Sequence, residues 1–161
     1  MTDTVTDDLI IGSDGLARPA WAATTDLLRH YYDTEWGMPV RTEQGLFERL
    51  SLETFQAGLS WELVLRKREG FRAAFAGFDP DVVAEFDEGD VEKLLDNREI
   101  IRNRRKIEAV IRNARATVAL REHGGLVDLV WSHQPEENLL PRTPADIPSR
   151  SPESEDMAKA L

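Results

Sequence analysis

The chain has 161 residues, the length of one ordinary domain, and its 41% apolar and 31% charged content is that of a globular protein able to bury a core. It has no cysteine, which excludes disulfides and thiolate metal sites, and its formal net charge of −10 argues against a protein that coats nucleic acid without specificity. The acidic start, MTDTVTDDLIIG, holds no run long enough for a signal peptide or a membrane helix, so a cytoplasmic protein without membrane contact is expected.

Residues 1–17 read as a flexible tail. Helix signals then follow one another. Thr42 can cap a helix through about Ala57, Gly58 breaks it, and Ser60 can cap the next through about Phe75. Asp79-Pro80 is a cap followed by proline at the first helical position, and Asp87 can cap a short helix through Leu95. The best-defined helix runs from about Asn103 to Glu122, with Ile107, Val110, Ile111, Ala114 and Val118 on one stripe and Arg105, Arg112 and Arg115 facing away. Gly124 and Gly125 end it. No segment alternates convincingly as a strand, so the class is all-α. Residues 134–152 carry five of the eight prolines and form an extended connector. Ser151-Pro152-Glu153 starts a last helix, which Leu161 cuts short after about two turns.

Three features could carry chemistry. Glu53 falls in register with Leu46, Leu50 and Ala57, so a carboxylate sits on an apolar stripe and its pKa should be perturbed. A boundary glutamate reaching a helix end or an arginine would read the same way. Three of the four tryptophans and both tyrosines (Trp21, Tyr31, Tyr32, Trp36 and Trp61) precede residue 62. Such density suits a core, and equally a pocket for a flat, cationic base. Between residues 98 and 115, seven basic residues face two acidic ones, and a second basic run is Arg66-Lys67-Arg68. The stretch LDNREIIRNRRK (95–106) joins two helices through a brief turn able to aim backbone N–H groups and basic side chains at a phosphate, although a solvated helix face has the same composition. His30, His123 and His133 show no ligand spacing, and no phosphate-binding glycine loop or nucleophile elbow is present.

These features coincide in one family. YYDTEWGMPV (31–40), LFERLSLETFQAGLSWELVLRKREGFRAAFAGFDPDVVA (46–84), IIRNRRKIEAVIRNARA (100–116) and VWSH (130–133) resemble, in order, the motifs of the type I DNA-3-methyladenine glycosylases. The resemblance covers residues 18–161. It implies a helix-hairpin-helix DNA glycosylase-like helical domain and hydrolytic release of 3-methyladenine from double-stranded DNA by a monomer without a cofactor. Glu53 matches the catalytic, base-bonding acid, Tyr31 and Trp21 match pocket aromatics, and Trp61 matches the indole that stacks on the base. Leu59 matches a residue that plugs the duplex, and Arg102, Arg104, Arg105 and Lys106 fall in the DNA-binding segment. No dedicated catalytic aspartate is implied there. The family's structural zinc is held by two cysteines and two histidines. Pro19 and Tyr32 stand at the first two of those positions, and the other two belong to a C-terminal segment that this chain lacks, so no metal is expected. The missing segment would make the chain a shortened relative. A non-catalytic binder of damaged DNA, or an inactive fragment, is the alternative.

Overall fold

Local capping chemistry decides where the helices begin. In a computed structural model, which describes residues 9–137, 140–141 and 144–161, each anticipated cap is in place. Thr42 Oγ1 accepts from Gly45 N–H (3.2 Å) to open α2 (Glu43–Gln56), and Ser60 Oγ accepts from Leu63 N–H (3.2 Å) to open α3 (Trp61–Arg66). Asp79 caps α5 (Pro80–Ala84), a reciprocal Asp87–Asp90 capping box opens α6 (Glu88–Asp96), and Asn103 caps α7 (Arg104–Leu120). The helix expected from Ser60 to Phe75 is broken at Lys67 (φ −95°, ψ 0°), which separates α3 from α4 (Arg68–Ala74). Two helices lie where the periodicity gave no warning: α1 (Asp26–Thr34), capped by Thr25, and α8 (Gly125–Trp131), which follows left-handed Gly124. The last, α9 (Pro152–Ala160), opens on the capping box of Ser151 and Ser154.

The chain divides into two compact units, one of Met1–Pro39 with His133–Leu161 and one of Val40–Ser132. In the larger unit the core is aromatic at its centre. All six phenylalanines of the chain belong to one ring cluster. Phe55 lies 4.4 Å from Phe71 and 5.8 Å from Phe75, and Phe75 stacks on both Phe78 and Phe86. Helix α7 closes this core with Ile107, Val110, Ile111 and Ala114, as its stripe foretells, while Thr117 rather than Val118 completes the buried face. Burying each large apolar side chain contributes about 1.5–3 kcal/mol, which makes this layer of α2, α4, α5 and α7 the main source of stability.

In the smaller unit the expected loose tail gives way over residues 9–17. Leu9–Ile11 (β1) pairs antiparallel with Ala17–Pro19 (β2), with Ile10 opposite Arg18. The cause lies in the turn and in one ion network. Gly15 takes φ +78°, and Arg18, 3% exposed, donates to Asp14 (2.7 Å) across the turn and to Asp33 (2.7 Å) on α1. Residues 1–8 of the expected tail, and residues 138–139 and 142–143 of the proline-rich connector, lie outside the described residues. No helix among the described residues is long and apolar enough to cross a membrane.

Candidate functional site

The end of α2 and the start of α3 form a tight corner in the larger unit. Ala57 (φ −48°, ψ 113°) and Gly58 (φ +81°) make a type II turn, closed by Leu59 N–H donating to Gln56 O at 2.6 Å. The left-handed conformation of Gly58 excludes a β-branched or bulky replacement without strain. Gln56 Nε2 donates to Leu59 O (2.9 Å), which ties the turn a second time. Glu53 stands one turn before this corner, half-buried Leu59 within it, and half-buried Trp61 immediately after it, packed against the core.

Glu53 does not occupy the buried face of α2. That face runs along Leu46, Phe47, Ser51, Leu52 and Phe55, with Leu50 half-buried at its edge, and Glu53, in register with Leu46 and Leu50, is exposed. Its carboxyl is nevertheless shifted above the usual glutamate range, because the surrounding protein restricts its hydration more than the cation of Arg49 one turn earlier compensates. The carboxyl is thus perturbed although the residue is not enclosed.

The α6–α7 connection, residues 97–103, abuts α4. Lys67 Nζ donates to Arg98 O at 2.8 Å. A Cβ on Gly70 would lie 2.5 Å from Glu99 O, so glycine at this position lets the connection reach the helix. Lys67 therefore belongs to the support of this segment, and Arg66 pairs with Glu62 (2.6 Å) instead of waiting for an anion.

The structure sorts the basic residues of 98–115 into two groups. Arg98, Arg102, Arg105 and Arg112 are exposed and form no ion pair among the described residues. Arg104 is engaged by Glu88 (2.6 Å), by Glu92 and by Glu108. Lys106 Nζ donates to Phe55 O (2.8 Å) and Ala57 O (2.7 Å), the open carbonyls at the end of α2, and Arg115 donates to Ala84 O and Phe86 O, both at 2.9 Å. Of the cations expected at phosphates, Arg104 is thus surrounded by carboxylates and Lys106 donates to protein carbonyls in this structure.

The remaining aromatic candidates lie in the smaller unit. Tyr31 is buried on α1, whereas Trp21 is 39% exposed in a cluster with Tyr32 (5.5 Å, edge-on) and Trp36 (6.0 Å). Tyr32 stacks on Trp36 at 5.4 Å. Arg18, which holds α1 to β2 two residues from Tyr31, carries no motif signal. A lone arginine beside scattered aspartates could not have been told from any surface charge.

Comparison with known proteins follows the same lines. A family model for methyladenine glycosylase matches residues 21–161. The chain belongs to the methyladenine glycosylase family. It is 44% identical over 150 residues to DNA-3-methyladenine glycosylase 1 of Escherichia coli (strain K12), covering 91% of this chain and 80% of that protein. A crystal structure of a 3-methyladenine DNA glycosylase I superposes with a TM-score of 0.81 at 45% identity, covering 88% of this chain and 80% of that one. A Staphylococcus aureus 3-methyladenine DNA glycosylase I, from work on the structural basis of 3-methyladenine recognition, gives 0.76 at 27% identity, over 87% of this chain and 78% of that one.

Pro19 and Tyr32 stand where the resemblance implies the first two zinc ligands. Pro19 and Tyr32 supply no thiolate or imidazole, and no three histidine, cysteine, aspartate or glutamate side chains converge as metal ligands among the described residues. In the smaller unit, the ion network of Arg18 and the Trp21–Tyr32–Trp36 packing hold the N-terminal segment. The aromatic part of that arrangement follows from the sequence; the ionic part does not.

Proposed function

We infer that this methyladenine glycosylase hydrolyses the N-glycosidic bond of alkylated adenine in double-stranded DNA and releases 3-methyladenine, acting in base-excision repair as a monomer without a cofactor. Membership of the family supports the reaction. The observation that carries the site is the corner itself: within nine residues it presents a carboxyl of raised pKa at Glu53, an apolar tip at Leu59 and an indole at Trp61.

The chemistry asks little of the protein. Extruding a base costs a few kcal/mol, less when methylation has weakened its pairing. The N3-methylated base is cationic in the nucleoside, so it leaves carrying the electron pair of the glycosidic bond and becomes neutral. Glu53, as carboxylate, accepts a hydrogen bond from the base and steadies positive charge as the sugar acquires oxocarbenium character. Trp61 stacks on the base, adding a cation–π contribution of about 1–2 kcal/mol before departure. Water then adds to the sugar C1′ and loses a proton. Leu59 fills the space left in the duplex. Arg102 and Arg105 bind backbone phosphates. For Tyr31 and Trp21 as base contacts, support comes from the family motif alone.

The experiment is release of free 3-methyladenine from dimethyl-sulfate-treated duplex, with binding to the same duplex measured in parallel. Release supports the enzyme. Binding without release assigns a non-catalytic reader of damaged DNA, and neither result assigns an inactive relative. Sedimentation at assay concentration checks the monomer.

A further inference from the structure

The corner bearing Leu59 and the segment bearing Arg102 and Arg105 are joined by one side chain. Lys106 lies in the first turn of α7, where Asn103 Oδ1 accepts from its backbone N–H at 3.2 Å. Its half-buried side chain runs to the end of α2, where Nζ donates to Phe55 O at 2.8 Å and Ala57 O at 2.7 Å. Those two carbonyls flank Gln56, whose own carbonyl closes the turn by accepting from Leu59 N–H. One ammonium therefore fixes the carbonyls on both sides of the turn closure, across about fifty residues of sequence. Charge-assisted bonds of this length are strong, and the three N–H donors of an ammonium let one lysine satisfy two helix-end carbonyls at once.

We propose that Lys106 is a positioning residue for base extrusion: it couples the phosphate-facing start of α7 to the Leu59 turn, so that docking at Arg102 and Arg105 sets where Leu59 enters the duplex. The proposal rests on the wedge role of Leu59 and the phosphate role of those arginines given above. Its content is different, because it removes Lys106 from the DNA contacts and gives it a part in the extrusion step. The bonds to Phe55 and Ala57 use two of the ammonium's three N–H donors and hold it against the protein, and the neighbouring cations remain available for DNA. A turn displaced by about 1 Å would misplace the wedge, and errors of that size cost up to a hundredfold in rate.

The test uses the full chain and an oligonucleotide with a single adenine, treated with dimethyl sulfate and annealed to either of two complements. One complement places thymine opposite the adenine and the other an abasic site, where extrusion is already easy. Single-turnover release is measured for the parent, Lys106→Met, Lys106→Arg, Leu59→Ala and the double variant Lys106→Met/Leu59→Ala, each well below its melting temperature. Lys106→Met is expected to slow release opposite thymine roughly tenfold and to slow it much less opposite the abasic site. Affinity for undamaged duplex and its salt slope stay within about twofold of the parent, since no phosphate contact is lost. Lys106→Arg restores the rate, because a guanidinium can serve both carbonyls. In the Leu59→Ala background, Lys106→Met causes no further slowing. Equal slowing on both complements, multiplicative effects in the double variant, a shallower salt slope, or failure of arginine to rescue each overturns the proposal. If Leu59→Ala alone leaves release unchanged, the wedge assignment falls and takes the coupling with it. If Leu59→Ala slows release and Lys106→Met does not, only the coupling falls.

Discussion

Replacing Gly70 by alanine sets two opposed effects against each other at one site. In an exposed helix interior, alanine in place of glycine stabilises by about 1 kcal/mol, because it reduces the entropy lost on folding. Gly70 is not in such a place. The new Cβ would lie 2.5 Å from Glu99 O, 2.8 Å from Glu99 Cβ and 3.0 Å from Glu99 C, so the obstruction is backbone and cannot swing aside. To regain van der Waals contact the 97–103 connection must retreat by about 1 Å, and forcing an added carbon into packed structure costs about 1–3 kcal/mol. The steric term exceeds the helix gain, leaving a net loss of about 1 kcal/mol. For a chain of this size that is a melting temperature about 2–4 °C lower. The retreat also stretches the 2.8 Å bond from Lys67 to Arg98 O and shifts Arg102, so DNA affinity should fall a few-fold. Thermal melting followed by far-UV dichroism and a fluorescence-anisotropy titration with a short duplex measure both. A Gly70→Ala protein that melts higher than the parent and binds DNA equally well would refute the packing argument and restore the simple helix-propensity expectation.

Charge removal separates the basic residues. Arg102→Gln and Arg105→Gln should each weaken DNA binding and reduce the slope of log affinity against log salt by about 0.9, whereas Arg104→Gln should leave that slope unchanged, being already paired with Glu88, Glu92 and Glu108; a slope change for Arg104 and none for Arg105 would reverse the assignment. Glu53→Gln should reduce base release at least tenfold, a loss of about 1.4 kcal/mol in transition-state stabilisation. Because the folded protein raises the Glu53 pKa, the parent should lose activity on the acid side at a higher pH than an ordinary glutamate would dictate, and the glutamine variant should lack that limb. The same upward shift means that Glu53 contributes stability below its unfolded pKa and gives it up as pH rises through the folded value. Glu53→Gln should then melt no lower than the parent at pH 7, and a clear drop in melting temperature there would point to a structural role instead. The Asp14 and Asp33 carboxyls are held below the usual range chiefly by hydrogen bonds from Arg18, so their contribution is present above the ordinary aspartate pKa and is lost as pH falls through the lower folded values. Arg18→Met should weaken the near-UV dichroism of the Trp21–Tyr32–Trp36 cluster at neutral pH and flatten its acid transition; an unchanged acid transition would show that the ion network does not hold this unit.

How much of this protein its residues announce depends on how far apart the interacting groups stand in the chain. Helix starts at Thr42, Ser60, Asp79, Asp87, Asn103 and Ser151 were all legible, because a cap involves a side chain and an N–H two or three residues away. The buried stripe of α7 was legible for the same reason, periodicity being a local property. So was the family, whose motifs around Glu53, Leu59 and Trp61 lie within one unbroken stretch of chain. The face of α2 was not: six phenylalanines scattered from residue 47 to residue 86 had to gather before Phe47 and Phe55 could claim the interior and leave Glu53 at the surface. Nor could the sequence tell Arg105 from Lys106. Both are cations in the first turn of one helix, and which of them is tied to the protein depends on carbonyls at Phe55 and Ala57, about fifty residues earlier. Likewise Arg18 became a buried anchor only when Asp33, fifteen residues on, was brought beside it by α1. Capping and periodicity are decided over one or two helical turns and can be read along the chain. Charge pairing and burial are decided by whatever the fold brings within 3 Å, and only the tertiary structure assigns them.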